Sequence, residues 1–271
     1  LDIEAKSRRA IRRNSNDNHS FELELVNNEN HIIPYEVNSS PFVRNQKIIG
    51  VLYIARNISK RKEAENKLKG SIKELKEIMN ASIMTMAKVV ETRDPYTAGH
   101  QKNVSLLATK IAQEMKLAKN EIEGIKVASL LHDIGKLDVP SDLLSKPRKL
   151  TEAEFNLIKN HPQIGFDIVK NIKFPWPVGR LILQHHERLD GSGYPEGLRN
   201  GEIEFGAKII GVADVVEAMS SHRPYRPALG LKKALTEIQI NKGKLYDPDV
   251  VESLLRLIKN DKFCLNIPAV N

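Results

Sequence analysis

Near its start this chain alternates apolar and polar residues one for one, and further on it switches to steps of three and four. In FELELV, Phe21, Leu23 and Leu25 fall on one face and Glu22 and Glu24 on the other, the period of a half-buried strand. Asn27, Asn28 and Asn30 make a turn-rich break before Ile32, after which Ile33, Tyr35 and Val37 resume the alternation. Asn45 interrupts again, and Gly50 to Ile54 reads as a third strand. Three such runs in succession predict an antiparallel meander within residues 20–57.

From Ser59 to Thr92 the period becomes helical. Apolar residues fall at Ala64, Leu68, Ile72, Leu75, Met79, Ile83, Met86 and Val90, in steps of three or four, with charged residues elsewhere. One continuous stripe has two readings: the seam of a parallel coiled-coil homodimer, or the face by which a single helix packs on its own domain. Gly70 weakens this helix modestly.

Beyond residue 93 helical spacing dominates. It runs through NVSLLATKIAQEMK, EIEGIKVASLLHDIG, TEAEFNLIKNHPQIGFDIVKNI, GVADVVEAMS, PALGLKKALTEIQINKG and DPDVVESLLRLIKN. Asn120 before Glu121 is an N-cap signal, and Thr151 to Glu154 has capping-box spacing. The expectation is multidomain and mainly α: an N-terminal β segment over 1–58, a linker helix over 59–92, and a helical bundle with loop insertions over 93–271.

Composition narrows the class. With 271 residues the chain has room for one large or two smaller domains. No apolar run approaches the ~20 residues that span a bilayer, and no signal-peptide pattern opens the chain. The single Cys264 cannot form an internal disulfide, and it reads as a small buried apolar residue. These features fit a reducing compartment, so a cytoplasmic location is expected. The net charge of +8 is spread evenly, +4 on residues 1–80 and +4 on the rest. Its densest cluster, Arg8, Arg9, Arg12 and Arg13, reads as a solvated helix face, so DNA is not an expected partner. A diffuse positive field still helps attract a small anionic nucleotide.

The chemistry concentrates in HHERLDGSGYP, residues 185–195, with LLHDIGK upstream and VADV downstream. His132, Asp133, His185, His186 and Asp214 thus offer imidazole and carboxylate ligands from three separated places, a mix suited to Fe, Mn, Zn or Ni. His132 and Asp133 are helix neighbours that would diverge unless the helix ends there, and Gly135 permits that ending. Lys136 lies one turn from Asp133 and can point at the same mouth.

Five motifs in order, ETRDPYTAGH (91–100), LLHDIGKLDVP (130–140), HPQIG (161–165), HHERLDGSGYP (185–195) and VADVVEAMSSHRPYR (212–226), resemble the HD-GYP family. That family is a branch of the HD phosphohydrolases that hydrolyses cyclic di-GMP in bacteria. The resemblance covers roughly Thr92 to Asp249 and implies an HD-type helical bundle. It implies a ligand set of Glu91, His100, His132, Asp133, His161, His185, His186 and Asp214 around two or three divalent ions, Fe or Mn favoured. A third ion would go with Glu91 as a bridging carboxylate. Catalysis would fall to Asp133 and Lys136. The substrate side would comprise Lys136, Asp190, Gly193, Tyr194, Pro195, Arg223, Tyr225 and Arg226. Metals about 3.5–4 Å apart suit a phosphodiester, because they bind the phosphate, activate water and stabilise the leaving oxygen. The signature loop is also implicated in contacts with diguanylate cyclase domains.

Taken singly these residues have plainer readings. His100 and His161 could be hydrogen-bonded structural histidines, Glu91 a solvated end of the linker helix, and Lys136 an exposed helix-end lysine. Arg226 could simply anchor its loop. His222 and Glu217 depart from the aspartates common at their positions, and neither is an expected ligand. Further upstream, RNISKRKEAENKLK resembles the end of a PAS sensor domain followed by a signalling helix, with Asn57 where aspartate is usual. The segment is shorter than a whole PAS domain. The resemblance implies hydrolysis of cyclic di-GMP to pGpG or GMP. Two rivals stand beside it: turnover of another cyclic dinucleotide such as cyclic GMP-AMP, and a receptor that binds nucleotide or a partner without turnover.

Overall fold

The alternation around Phe21 is realised in β1, His19–Val26, which pairs antiparallel with β2, Ile32–Arg44; β2 pairs in turn with β3, Lys47–Asn57. This is a computed structural model that describes residues 19–94, 99–146, 148, 150–221 and 228–260. The chain divides into two units, Leu1–Ile78 and Met79–Asn271.

In the first unit the meander is as expected, but β2 and β3 extend further. Asn45 and Gln46 both take positive φ, 50° and 59°, which makes a two-residue hairpin between Arg44 and Lys47. The interruption at Asn45 is therefore the tip of a hairpin. At the other connection Asn27 Oδ1 accepts the N–H groups of Glu29 and His31. Glu22 and Glu36 sit directly opposite each other across β1 and β2, a repulsive pair. Arg61 resolves it, donating to Glu22 at 2.7 Å and to Glu36 at 3.0 Å from the first turn of the following helix. The sheet encloses little: Val37 and Ser39 are its buried residues, while Val26, Ile32, Phe42, Ile48 and Ile54 are exposed.

Helix α1, Ser59–Arg93, carries the predicted stripe. The stripe divides along its length. Leu68, Ile72 and Leu75 are exposed, whereas Ile83, Ala87 and Val90 are buried. Ile83 and Val90 join the core of the second unit, so own-domain packing describes that end.

The second unit continues with α2 (His100–Glu114), α3 (Lys119–Leu131), a 3-10 turn (Ile134–Asp138) and α4 (Ser141–Leu144). Then come α5 (Glu152–Lys159), α6 (His161–Val169), α7 (Val178–Gln184), α8 (Phe205–Ser220), α9 (Leu231–Ile240) and α10 (Pro248–Lys259). Leu107, Ile111, Leu131, Ile182, Ile209, Ile210, Ile238 and Leu254 are its largest fully buried apolar side chains, each contributing roughly 1.5–3 kcal/mol. The apolar helix α8 packs against α2, α3, α7, α9 and α10.

Two local expectations change. The helical pattern over 151–172 breaks into α5 and α6 at Asn160, because Pro162 lacks the N–H that Ile158 would need and its ring disfavours an unbroken helix. The N-cap of α3 is Ala118, with Glu121 accepting the Ala118 N–H at 3.0 Å; Asn120 instead accepts the indole N–H of Trp176. The Thr151–Glu154 capping box forms as expected, with reciprocal bonds of 3.3 and 2.9 Å. Arg8, Arg9, Arg12, Arg13, His222, Arg223, Tyr225, Arg226 and Cys264 lie outside the described residues. Among the described residues, no helix is long and apolar enough to cross a membrane.

Candidate metal centre

Three histidines stand where helices end, and the chain's own backbone aims them. The last carbonyls of a helix have no intrahelical partner, and a nearby histidine can satisfy one. His132 caps α3 and its Nδ1 lies 2.7 Å from the Ser129 carbonyl; His185 caps α7 with Nδ1 2.6 Å from the Ile182 carbonyl. His161 follows α5, and its Nδ1 takes the Ile158 carbonyl at 2.8 Å, the acceptor that Pro162 leaves unused. A carbonyl oxygen only accepts, so Nδ1 carries the proton in all three rings, and in the neutral ring Nε2 keeps the bare lone pair. His100, at the start of α2, is fixed from the side instead: its Nδ1 makes a short contact with Glu217 Oε2 from α8.

The bare nitrogens converge on two aspartates. Asp133 lies 3.4 Å from His161 Nε2 through one oxygen, and 3.5 and 3.7 Å from the Nε2 atoms of His132 and His100 through the other. Asp214 lies 3.2 Å from His100 Nε2, and 4.0 Å from His186 Nδ1 through its second oxygen. The donors fall into three overlapping groups: His100, His132 and Asp214; His132, Asp133 and His185; and His161, His185 and His186. Asp133 can come between the imidazoles because α3 stops at Leu131 and the chain tightens into the 3-10 turn. Gly135 makes that possible. A Cβ there would stand 1.9 Å from the His161 carbonyl oxygen, so only glycine lets the turn press against α6.

The electrostatics favour a cation. Burial pushes the His161 imidazole down to about 4 and holds His185 and His186 well below their ordinary value, so all three rings are neutral near pH 7. Burial alone would raise Asp133, but Lys136 and the surrounding imidazoles outweigh it and keep the carboxyl ionised well below its usual range. Asp214 behaves likewise through His100, His132 and His186. Two neutral rings, His161 and His185, point Nε2 lone pairs at each other across 3.4 Å, and the buried His132 Nε2 has no hydrogen-bond partner. Unprotonated donors held this way in a dry site fit divalent ions bound through nitrogen and oxygen.

A cleft of about 440 Å³ opens over these residues. His100, Asp133, His186 and Asp214 form its floor, Lys136 and Arg188 supply positive charge, and Leu143, Leu144, Leu150, Ile158 and Met219 supply apolar wall. Lys136 Nζ sits 2.7 Å from Asp133 Oδ2.

The structure brings together His100, His132, Asp133, His161, His185, His186 and Asp214, with Lys136 at their mouth. Glu91 stays outside the close-set groups. It is buried, but one oxygen accepts the Gly99 N–H at 2.9 Å and the other lies 3.3 Å from Lys88 Nζ. In the signature loop, Tyr194 is half-buried with its ring 4.6 Å from that of His186, and burial pushes its phenol up, so it stays protonated. Gly193 permits a close approach: a Cβ would come 2.4 Å from Glu187 Cα. Asp190 is exposed and closes its own turn by accepting the N–H and hydroxyl of Ser192, while Pro195 is exposed beyond a cis peptide. Neither borders the cleft.

Sequence reasoning passed over three residues. Glu187 is buried and accepts the backbone N–H groups of Glu196, Gly197 and Leu198, which suspends the loop beside His186. Arg188 lines the cleft and donates to the His185 and Glu187 carbonyls. Glu217, set aside as a departure, orients His100. Only the adjacency of Glu187 and Arg188 to the paired histidines hinted at the first two.

Fold and site together define a helical bundle built around a buried imidazole–carboxylate centre. Residues 84–250 match the HD domain family, and the chain belongs to that family. It is 40% identical over 194 residues to the cyclic di-GMP phosphodiesterase response regulator RpfG of Xanthomonas campestris, covering 71% of this chain and 51% of that one. It is 35% identical over 176 residues to the 3'3'-cGAMP-specific phosphodiesterase 3 of Vibrio cholerae, covering 65% and 38%. The chain thus spans about half the length of the first relative and less of the second. A crystal structure of a cyclic GMP-AMP specific phosphodiesterase from Vibrio cholerae shares the fold, with a TM-score of 0.52 and 18% identity over 69% of this chain and 51% of that one.

Proposed function

We propose that the chain is an HD-GYP type phosphodiesterase that hydrolyses cyclic di-GMP. The observation that carries the reading is the convergence of five histidines and two aspartates beneath a cleft bearing Lys136 and Arg188. The similarity to a cyclic di-GMP phosphodiesterase over 71% of the chain supplies the substrate.

His100, His132, Asp133, His161, His185, His186 and Asp214 would hold two divalent ions, with Fe or Mn favoured by the resemblance. A third ion at Glu91 rests on the resemblance alone. Bound ions would supply the charge that polarises the phosphodiester and eases ionisation of the attacking water. The chain's residues do the rest. Lys136, fixed against Asp133, meets the charge that builds on the phosphate oxygens. The apolar wall of the cleft takes the flat bases and keeps bulk water away. Water attacks phosphorus in line, the P–O bond to the ribose 3′ oxygen breaks, and that oxygen leaves with a proton. The product is linear pGpG, and a second cut yields GMP. Arg223, Tyr225 and Arg226 join the substrate side in this reading. The sheet of the first unit is the C-terminal part of a PAS domain, and α1 is a signalling helix whose exposed Leu68, Ile72 and Leu75 form a homodimer seam.

A second reading keeps the site and changes the substrate to 3'3'-cGAMP; the 35% identity to a phosphodiesterase of that name favours it. Side-by-side turnover separates the two. Protein reconstituted anaerobically with Fe(II) or Mn(II) is incubated with each dinucleotide and the products are resolved by chromatography. Metal-dependent pGpG or GMP is expected from cyclic di-GMP, and His185→Ala and Asp133→Ala should each lose at least about 100-fold, more than loss of an outer partner costs. Faster turnover of the hybrid dinucleotide would install the second reading, and full metal loading without turnover of either would remove both.

A further inference from the structure

We propose that Glu217 is a positioning residue that makes the two ends of the metal centre unequal, the His100 end binding its ion more tightly. This rests on the metal-centre reading above. Asp214 and Glu217 are three residues apart on α8, on one face, and both address His100. The imidazole lies between two carboxylates: Nε2 is 3.2 Å from Asp214 Oδ1, and Nδ1 is in short contact with Glu217 Oε2. Glu217 is itself pinned. Only 2% of it is exposed, and its other oxygen accepts the Ser221 hydroxyl at 2.8 Å and the Asn103 amide at 3.4 Å.

The histidines at the helix ends are held differently. His132, His161 and His185 give their Nδ1 protons to the neutral carbonyls of Ser129, Ile158 and Ile182. A carboxylate draws the Nδ1 proton more strongly than an amide oxygen does, which leaves the far nitrogen more electron-rich and a stronger donor. It also brings a full negative charge one ring away from the bound ion. The group His100, His132 and Asp214 therefore gains affinity that the group His161, His185 and His186 does not. A purely structural role, tying α8 to α2, would affect stability and leave the two affinities alone.

The test is a titration of the metal-free full chain with Mn(II), free ion being counted by electron paramagnetic resonance. Two steps of different affinity are expected from the unmutated chain. Glu217→Gln, close to isosteric, should weaken the tighter step about 10–100-fold and leave the weaker one within about twofold. His186→Ala should do the reverse. An unchanged isotherm for E217Q, or equal weakening of both steps, overturns the proposal. Should E217Q not fold, Glu217→Asp keeps the charge but draws the carboxylate back from Nδ1; it should weaken the tighter step alone, and an unchanged isotherm overturns the proposal. Failure of the unmutated chain to bind Mn(II) overturns the metal-centre reading and this inference with it, whereas normal binding with an unaltered E217Q isotherm overturns the inference alone.

Discussion

Among the described residues the three strands bury Val37 and Ser39, whereas α8 by itself buries ten residues. The sheet is held by its backbone ladder and by ion pairs such as Arg61 with Glu22 and Glu36. The helical unit is held by apolar packing close enough that single glycines decide whether elements can meet. A centre that must hold five imidazoles and two carboxylates in alignment needs the second kind of scaffold, since burial disfavours the charged forms of His161, His185 and His186 and close packing keeps the donors from reorienting. The contrast predicts that the two units respond differently to substitution, acid and salt. Trp176, the single tryptophan, lies in the helical unit and reports on it alone.

The largest effect should follow Gly135→Ala. Its Cβ cannot coexist with the His161 carbonyl oxygen 1.9 Å away, so the 3-10 turn must lift from α6. We expect a loss of about 3 kcal/mol or more in urea unfolding followed by Trp176 fluorescence. An unchanged midpoint would mean that the turn is not anchored as described.

Acid should come next. In the folded, metal-free unit His161 is neutral down to about pH 4, and His185 and His186 are likewise held well below their ordinary value, while the unfolded chain takes up protons near pH 6.5. Between those limits the unfolded state binds more protons, so stability must fall as pH drops from about 6.5 to 4. Asp133 and Asp214, depressed in the folded state, add loss of the same sign below about pH 3.8. Thermal midpoints of chelator-treated protein between pH 7.5 and 4.5 check this, and a flat profile contradicts it. The sheet holds no buried imidazole among its described residues and should not share this dependence.

Leu75→Lys tests the exposed half of α1. Each leucine withdrawn from a homodimer seam forfeits roughly 1.5–3 kcal/mol of burial, and both chains lose one, so dimer dissociation should rise by about 100-fold or more. Sedimentation should show a monomer at concentrations where the unmutated chain is dimeric; a sedimentation profile that ignores the change removes the seam. Arg61→Ala should have the smallest effect. Lys62 still pairs with Glu22, so loss of Arg61 leaves Glu36 without its partner at a half-exposed site and should lower stability only slightly, by an amount that shrinks in high salt. A large, salt-independent loss would mean that the sheet depends on this arginine for packing as well as charge.

How much could be read from the chain depended on how local the cause was. The strands around Phe21 and Val37, the stripe of α1 and the Thr151 cap follow from neighbours within a few residues, and all were legible. So was the helix end at His132, because Gly135 stands close by. The break at Asn160 was missed, since hydrophobic period survives a kink; Pro162 was its visible cause. Burial was less accessible. Leu68 and Val90 belong to one stripe, and nothing in the period tells which of them the fold covers. Glu187 and Glu217 act on partners 9 to 11 and 117 positions away, and no short pattern encodes such contacts.

Three of the proposed ligand histidines take their tautomer from a carbonyl three residues back in the same chain. That makes each an autonomous cassette, spelled within one helical turn and indifferent to which side chains surround it. Mutational drift elsewhere in the bundle can change what the cleft admits without unsetting those ligands. His100 differs, because its orientation is entrusted to a side chain on another helix. In a lineage losing this centre, the first sign of decay should therefore be sought at position 217, before any ligand has changed.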